Sequence, residues 1–164
     1  MLFRSLLAQH SSQVHAIFDY VWHENRNEIL LIQPYLGTSP ASDVRAIFLN
    51  YRPWGAMVRV AQNNEFRANV KVGARTESTT LSQLEERICA DAAKYSGLPL
   101  AGIDFLRTPQ GPMILEVNGC PGFAGISEAY APHGIDLLEE LACFLAECVR
   151  DSEARKKINL MLVN

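Results

Sequence analysis

Residues 11–25, SSQVHAIFDYVWHEN, place Val14, Ile17, Phe18, Val21 and Trp22 at i, i+3, i+4, i+7 and i+8. This spacing predicts an amphipathic helix with a serine as its N-cap. After the polar run 24–28 the periodicity disappears. ILLIQPYL is a short continuous apolar run that predicts a strand buried on both faces, with Pro34 ending it or at its edge. Beyond the loop GTSPAS, the β-prone runs of DVRAIFLNYRPWGAMVRVAQ meet near Asn50 to Pro53 and predict an antiparallel hairpin.

The next stretch, NNEFRANVKVGARTEST, is polar and reads as a loop with a short strand. Serine and threonine at 78–82 then cap a predicted helix, LSQLEERICADAAKYSG, with Leu84, Ile88, Ala92 and Tyr95 on one face and Gly97 as its stop. Residues 100–107 and 112–118 flank TPQG, which has the proline and glycine of a tight turn, so they predict a second hairpin. The last pattern, GIDLLEELACFLAECVRDSEARKK, is helical and closes on basic residues suited to a helix C-terminus.

Composition narrows the class. At 164 residues, with 48% apolar and 20% charged residues, the chain is expected to form one domain, and disordered and fibrous classes are excluded. Fifteen basic and 18 acidic residues are mixed to a net charge of −3, so no broad field favours nucleic acid or an anionic membrane. Cys89, Cys120, Cys143 and Cys148 show no C-x-x-C spacing and are expected to be reduced, in a cytoplasmic protein. The short apolar start lacks a cleavage site and no 18-residue apolar run exists, so neither secretion nor a membrane span is expected.

The candidate chemistry lies in the second hairpin. Glu116 and Asn118 are two apart on one strand and share a face, and Asp104 lies on the partner strand. If residues 108–111 form the turn, 107 pairs with 112 and Asp104 stands opposite 115, diagonal to Glu116. A slip or bulge would bring the side chains together, so the register stays open. Two carboxylates and an amide oxygen make a hard-oxygen site suited to Mg²⁺ rather than zinc. The alternative is a structural salt bridge to a nearby arginine. Arg45, Arg59 and Arg67 could clamp phosphate or be solvated; Arg45 and Arg59 sit in apolar runs and need partners if they face inward. His133, beside Gly134 at the start of the last helix, reads as a loop or capping residue, Cys120 as a small loop residue, and His10, His15 and His23 as solvent-facing.

At these motifs the chain resembles the RimK-type ATP-grasp ligases, which include ribosomal-protein glutamate ligases and LysX-like enzymes. The resemblance spans residues 29–145 in one register, through IQPYL, SDVRAIF, GAMVRVAQ, EFRANVKVG, AGIDFLRT and GPMILEVNGCPGFAGI; the ordered series FRAN, GID and EVN…PG is specific. It implies an α+β fold, the C-terminal ATP-grasp lobe, with a mainly antiparallel sheet and helices packed on one side. The implied activity is an ATP- and Mg²⁺-dependent ligase, with Mn²⁺ as an alternative metal, joining an amino acid such as glutamate to a carboxylate of a peptide or small molecule through an acyl phosphate.

By the same resemblance, Asp104, Glu116 and Asn118 are expected to hold the metal. Gln33, Pro34 and Tyr35 match the hinge strand that contacts adenine, although Pro34 removes an N–H donor there. Asp43 matches a nucleotide-contacting acid, and Arg67, Ala68 and Asn69 match a stretch that reaches the nucleotide. Arg59 and Arg67 are the expected catalytic arginines, with Arg59 facing the transferred phosphate. The chain departs from the family in having no lysine before residue 71 and no glycine-rich phosphate loop, in Gly73-Ala74 where two glycines are usual, and in Cys120. Residues 1–164 are therefore expected to be the C-terminal part of an ATP-grasp domain, inactive alone, partnered by a separate N-terminal lobe or by a second copy. Nucleic acid and membrane are not expected partners. A non-catalytic nucleotide-binding or assembly module is the alternative.

Overall fold

The computed structural model of the chain describes residues 6–37, 40–62 and 73–150. The chain divides into two compact units, residues 1–36 and 37–164.

In the first unit, α1 spans Ser11–Glu24. Its N-cap is His10 rather than a serine, and the Gln13 side chain closes the turn by accepting from the backbone N–H groups of Gln9 and His10 at 2.6 and 3.3 Å. Val14, Ile17, Phe18 and Val21 are half-buried as their spacing predicts, and Phe18 stacks on Trp22 with ring centroids 5.0 Å apart. The expected strand in ILLIQPYL does not form: residues 29–37 lie in no strand, and Ile29 and Leu31 are 93% and 86% exposed. A run of apolar side chains becomes a strand only where a neighbour completes its hydrogen-bond ladder, and no described strand pairs with this one.

In the second unit, the described strands form one five-stranded antiparallel sheet: β1 (Ser42–Leu49), β2 (Arg52–Val60), β3 (Arg75–Ser78), β4 (Leu100–Thr108) and β5 (Gly111–Asn118), ordered β3-β2-β1-β4-β5. Both expected hairpins are present. Asn50 and Tyr51 turn the first with φ of 48° and 66°, the left-handed pair that a two-residue hairpin uses to match strand twist.

Alternation along β1 assigns each side chain to a face. Val44, Ala46 and Phe48 point to one side, where they meet Ala56, Ala101, Ile103, Phe105 and two residues of α2 (Gln83–Ser96), Cys89 and Ala93. Ser82 and Glu85 cap α2 reciprocally, and Gly97 ends it in the left-handed region at φ 68°. The helix is rotated by one position from the expected face. Glu85, Cys89 and Ala93 are buried, while Leu84 and Tyr95 are exposed. Arg107 fixes that rotation by gripping Glu85 at 2.7 and 3.1 Å.

Ile47, Leu49 and Met57 face the other side and pack on Ile126 and Ala129 of α3 (Ala124–Tyr130) and on Leu137 and Leu141 of α4 (Leu137–Arg150). The α+β class and antiparallel sheet are as expected, but helices cover both faces rather than one. Helix α3 falls between the second hairpin and the last helix, where the pattern predicts no element. Its seven residues sit among Pro121, Gly122 and Gly125, and tertiary contacts, including Tyr130 Oη accepting from the Ala56 N–H at 3.1 Å, hold a segment of low intrinsic propensity. A 3₁₀ turn, Ala131–His133, precedes α4, so His133 stands before that helix and not on it. Among the described residues no helix is long and apolar enough to cross a membrane.

Candidate functional site

The face of β1 that buries Ile47 and Leu49 carries Asp43 and Arg45 farther back toward the strand's start, at i−2 steps. Register then brings opposite charges into line. Asp43 is the direct partner of Arg59 on β2, and Arg45 is the direct partner of Asp104 on β4. Cross-strand neighbours share a face, so four charged side chains meet on the Ile47 side of the sheet.

Arg59 donates from Nε and Nη2 to the two carboxylate oxygens of Asp43 at 2.7 and 2.6 Å, and Nη2 also reaches Asp104 Oδ2 at 2.8 Å. Arg45 takes Asp104 from the other side, Nε to Oδ1 and Nη2 to Oδ2, both at 2.7 Å. Arg59 and Asp104 are each only 5% exposed. Burial works against the charge on Arg59, but Asp43 and Asp104 outweigh it and hold the guanidinium well above its ordinary range. Burial raises the Asp43 carboxyl above its ordinary value, with Arg59 only partly offsetting it.

Asp104 and Glu116 stand directly opposite each other, and Gly102 stands opposite Asn118. Arg107 pairs with Pro112 as the turn predicts, but the ladder shifts between Asp104 and Phe105, where Phe105 meets Ile114, so Leu115 is the extra residue of a bulge. That bulge converts the expected diagonal into a direct pair. Glu116 is the open member, with its side chain 57% exposed and Oε1 at 3.6 Å from Arg45 Nη2. Asn118 Oδ1 accepts the Cys120 N–H at 2.8 Å, which turns the chain at the strand end. Pro121 lies over Gly102 so closely that a Cβ there would sit 2.6 Å from Pro121 Cβ.

Residues 3–145 match the RimK-like ATP-grasp domain. The chain belongs to the RimK-like ATP-grasp family. Among curated relatives, a probable alpha-L-glutamate ligase of Aeromonas salmonicida (strain A449) is 39% identical over 103 residues, covering 63% of this chain and 35% of the relative. A probable alpha-L-glutamate ligase 1 of Shewanella frigidimarina (strain NCIMB 400) is 33% identical over 128 residues, 78% of this chain and 42% of the relative. The chain thus spans well under half the length of these relatives. Among solved structures, a D-alanine--D-alanine ligase from Bacillus anthracis complexed with ATP superposes with a TM-score of 0.56 over 90% of this chain and 49% of that one, at 16% identity, a likeness of fold.

In this RimK-like ATP-grasp chain, the expected residues divide into three groups. Asp43, Arg59, Asp104, Glu116 and Asn118 share one sheet face, together with Arg45. Gln33, Pro34 and Tyr35 belong to the first unit, where they are exposed and outside any strand. Arg67, Ala68 and Asn69 lie outside the described residues.

The donor set suits Mg²⁺. Asp104, Glu116 and Asn118 offer only hard oxygens, the ligands Mg²⁺ takes, and among the described residues no group of three or more His, Cys, Asp or Glu is placed to hold a metal ion by itself. A cleft of about 740 Å³ elsewhere in the unit is lined by Trp54, Asp136, Glu139, Glu140 and Glu147 and shares no residue with the charged network. Its acidic wall would repel phosphate. Sequence reasoning missed the Glu85–Arg107 clasp, although Ser82-x-x-Glu85 is a capping-box signal, and the contact of Ser78 Oγ with His133 Nε2 at 2.9 Å, which no local signal announces.

Proposed function

We propose that this chain supplies the metal- and phosphate-binding floor of an ATP- and Mg²⁺-dependent carboxylate–amine ligase. In that reading the ligase adds an amino acid, glutamate in keeping with the names of its relatives, to a carboxylate of a peptide or small molecule through an acyl phosphate. The observation that carries it is the shared face of Asp104, Glu116 and Asn118, set by the 104–116 and 102–118 pairings and flanked by Arg45 and Arg59.

Asp104, Glu116 and Asn118 would hold the metal, which when bound neutralises phosphate charge; Mn²⁺ would fit the same oxygens. Phosphoryl transfer needs that neutralisation and in-line positioning more than it needs a protein nucleophile. Asp43 keeps Arg59 aligned and charged, so that its guanidinium is preorganised toward the transferred phosphate. Gln33, Pro34 and Tyr35 would contact adenine, and Arg67, Ala68 and Asn69 the nucleotide. The loop after Asn118, folded over Gly102, borders the place where an acceptor would approach. A second reading is favoured by one observation: Arg59 Nε and Nη2 are both held by carboxylates, as in a structural ion-pair network of a non-catalytic nucleotide-binding module.

Thermal unfolding of the chain with ATP, ADP or GTP, each with and without Mg²⁺, tests the proposal. A rise in melting temperature confined to adenine nucleotides with Mg²⁺ supports it. Equal shifts without Mg²⁺ contradict the metal floor.

A further inference from the structure

The two arginines of the network, Arg59 buried and Arg45 partly buried, are not equivalent. Arg59 has a carboxylate of its own, Asp43, which it grips at two points, and touches Asp104 through Nη2 alone at 2.8 Å. Arg45 pairs instead with the two carboxylates that are candidates for the metal: its Nε and Nη2 span both oxygens of Asp104 at 2.7 Å, and Nη2 lies 3.6 Å from Glu116 Oε1. Its side chain is only 14% exposed, so water screens these contacts poorly. A planar guanidinium fork laid across a carboxylate uses the lone pairs in the carboxylate plane that a cation would use.

We infer that Arg45 is the resident counter-ion of the Asp104–Glu116 pair and sets its affinity for divalent cations. This inference rests on the reading of Asp104 and Glu116 as metal ligands. A bare divalent cation meets carboxylates already partly neutralised, with a fixed positive charge within contact distance, so it binds weakly. A polyphosphate changes the balance by offering Arg45 another anion as it leaves Asp104. Metal and nucleotide are then linked through one side chain, and by reciprocity each raises the affinity of the other. Arg45 thereby acts as a positioning residue that disfavours metal without nucleotide.

The test uses Mn²⁺ as the probe, with free Mn²⁺ read by electron paramagnetic resonance, on the 164-residue chain and on Arg45→Gln, Arg45→Lys and Glu116→Gln, each checked for folding by circular dichroism. Arg45→Gln is expected to bind Mn²⁺ alone at least about fivefold more tightly than wild type, and the gain in Mn²⁺ affinity on adding ADP is expected to shrink. Arg45→Lys, which keeps the charge but cannot span both oxygens, is expected to fall between them and carries the test if Arg45→Gln does not fold. Unchanged or weaker Mn²⁺ binding in the Arg45 variants, with binding lost in Glu116→Gln, overturns the role of Arg45 while leaving the metal site standing. Mn²⁺ binding absent from both wild type and Arg45→Gln even with ADP present, or undiminished in Glu116→Gln, overturns the metal site and the inference together.

Discussion

Asp43 on β1 and Arg59 on β2 are direct cross-strand partners joined at two points, Nε to Oδ1 at 2.7 Å and Nη2 to Oδ2 at 2.6 Å. Such a pair is costly to break from one side, because the surviving charge stays buried. Arg59→Met is expected to destabilise the chain by about 3–5 kcal/mol, measured by urea denaturation. The Asp43→Asn/Arg59→Met double variant should recover part of that loss, since neither stranded charge on this pair remains. No recovery would show that Asp104, not Asp43, dominates the energetics of Arg59.

Gly102 is required by close approach. An added Cβ would lie 2.6 Å from Pro121 Cβ and 3.5 Å from Ile47 Cδ1, and a proline ring cannot rotate away. Gly102→Ala is expected to cost about 1–3 kcal/mol by overpacking and to shift the loop that Asn118 anchors. Thermal unfolding of Gly102→Ala alone and with Pro121→Gly checks this: the second change should restore much of the stability. If it restores none, the clash lies elsewhere.

Glu85 gives the chain an acid-sensitive clasp. Burial acts to raise its carboxyl pKa, but Arg107 and the Ser82 cap outweigh burial and lower it. A lowered folded-state pKa means stability that is present above the unfolded value, about 4.3, and lost as pH falls through the folded one. Glu85→Gln is expected to cost about 1–2 kcal/mol near pH 6. Urea denaturation of both proteins from pH 7 to pH 3 should show that gap closing only below about pH 4.3. Asp43 acts with the opposite sign: its raised pKa contributes stability below the ordinary aspartate range that is lost as pH rises through the folded value.

Cys89 is buried against the sheet, and burial, with the charge of Glu85, pushes its thiol up to about 12. Cys120 and Cys143 are exposed. Alkylation at pH 8 followed by peptide mass mapping should label Cys120 and Cys143 in the folded chain and Cys89 only after denaturation. Comparable labelling of Cys89 under native conditions would place it outside the core.

Much of the site was legible because hairpins count residues. The turn TPQG fixes Arg107 against Pro112, which brings Asp104 to within one position of Glu116, and the bulge then sets Asp104, Glu116 and Asn118 on one face. The bulge at Leu115 was not legible, since alternation alone cannot say where an extra residue is absorbed. Neither was the saturation of Asp104 by two arginines, because Arg45 and Arg59 reach it from two other strands at sequence separations of 59 and 45. The pattern points to the wrong face of α2 because apolar Leu84 and Tyr95 outweigh Glu85 in it, whereas a satisfied carboxylate can be buried. ILLIQPYL misled for a related reason: composition records what a strand would like to bury, not whether a partner is there to pair with it.

The central claim, a metal-dependent phosphate floor on the Asp104–Glu116–Asn118 face, is tested most directly by isothermal titration of the chain with ADP, with and without Mg²⁺, in wild type and in Glu116→Ala. Glu116 is the exposed member of the face, so its removal leaves the buried Asp43–Arg59–Asp104–Arg45 network paired. The expected result is weak ADP binding that requires Mg²⁺ and disappears in Glu116→Ala. Binding that is indifferent to Mg²⁺, or that survives intact in the variant, would contradict the account.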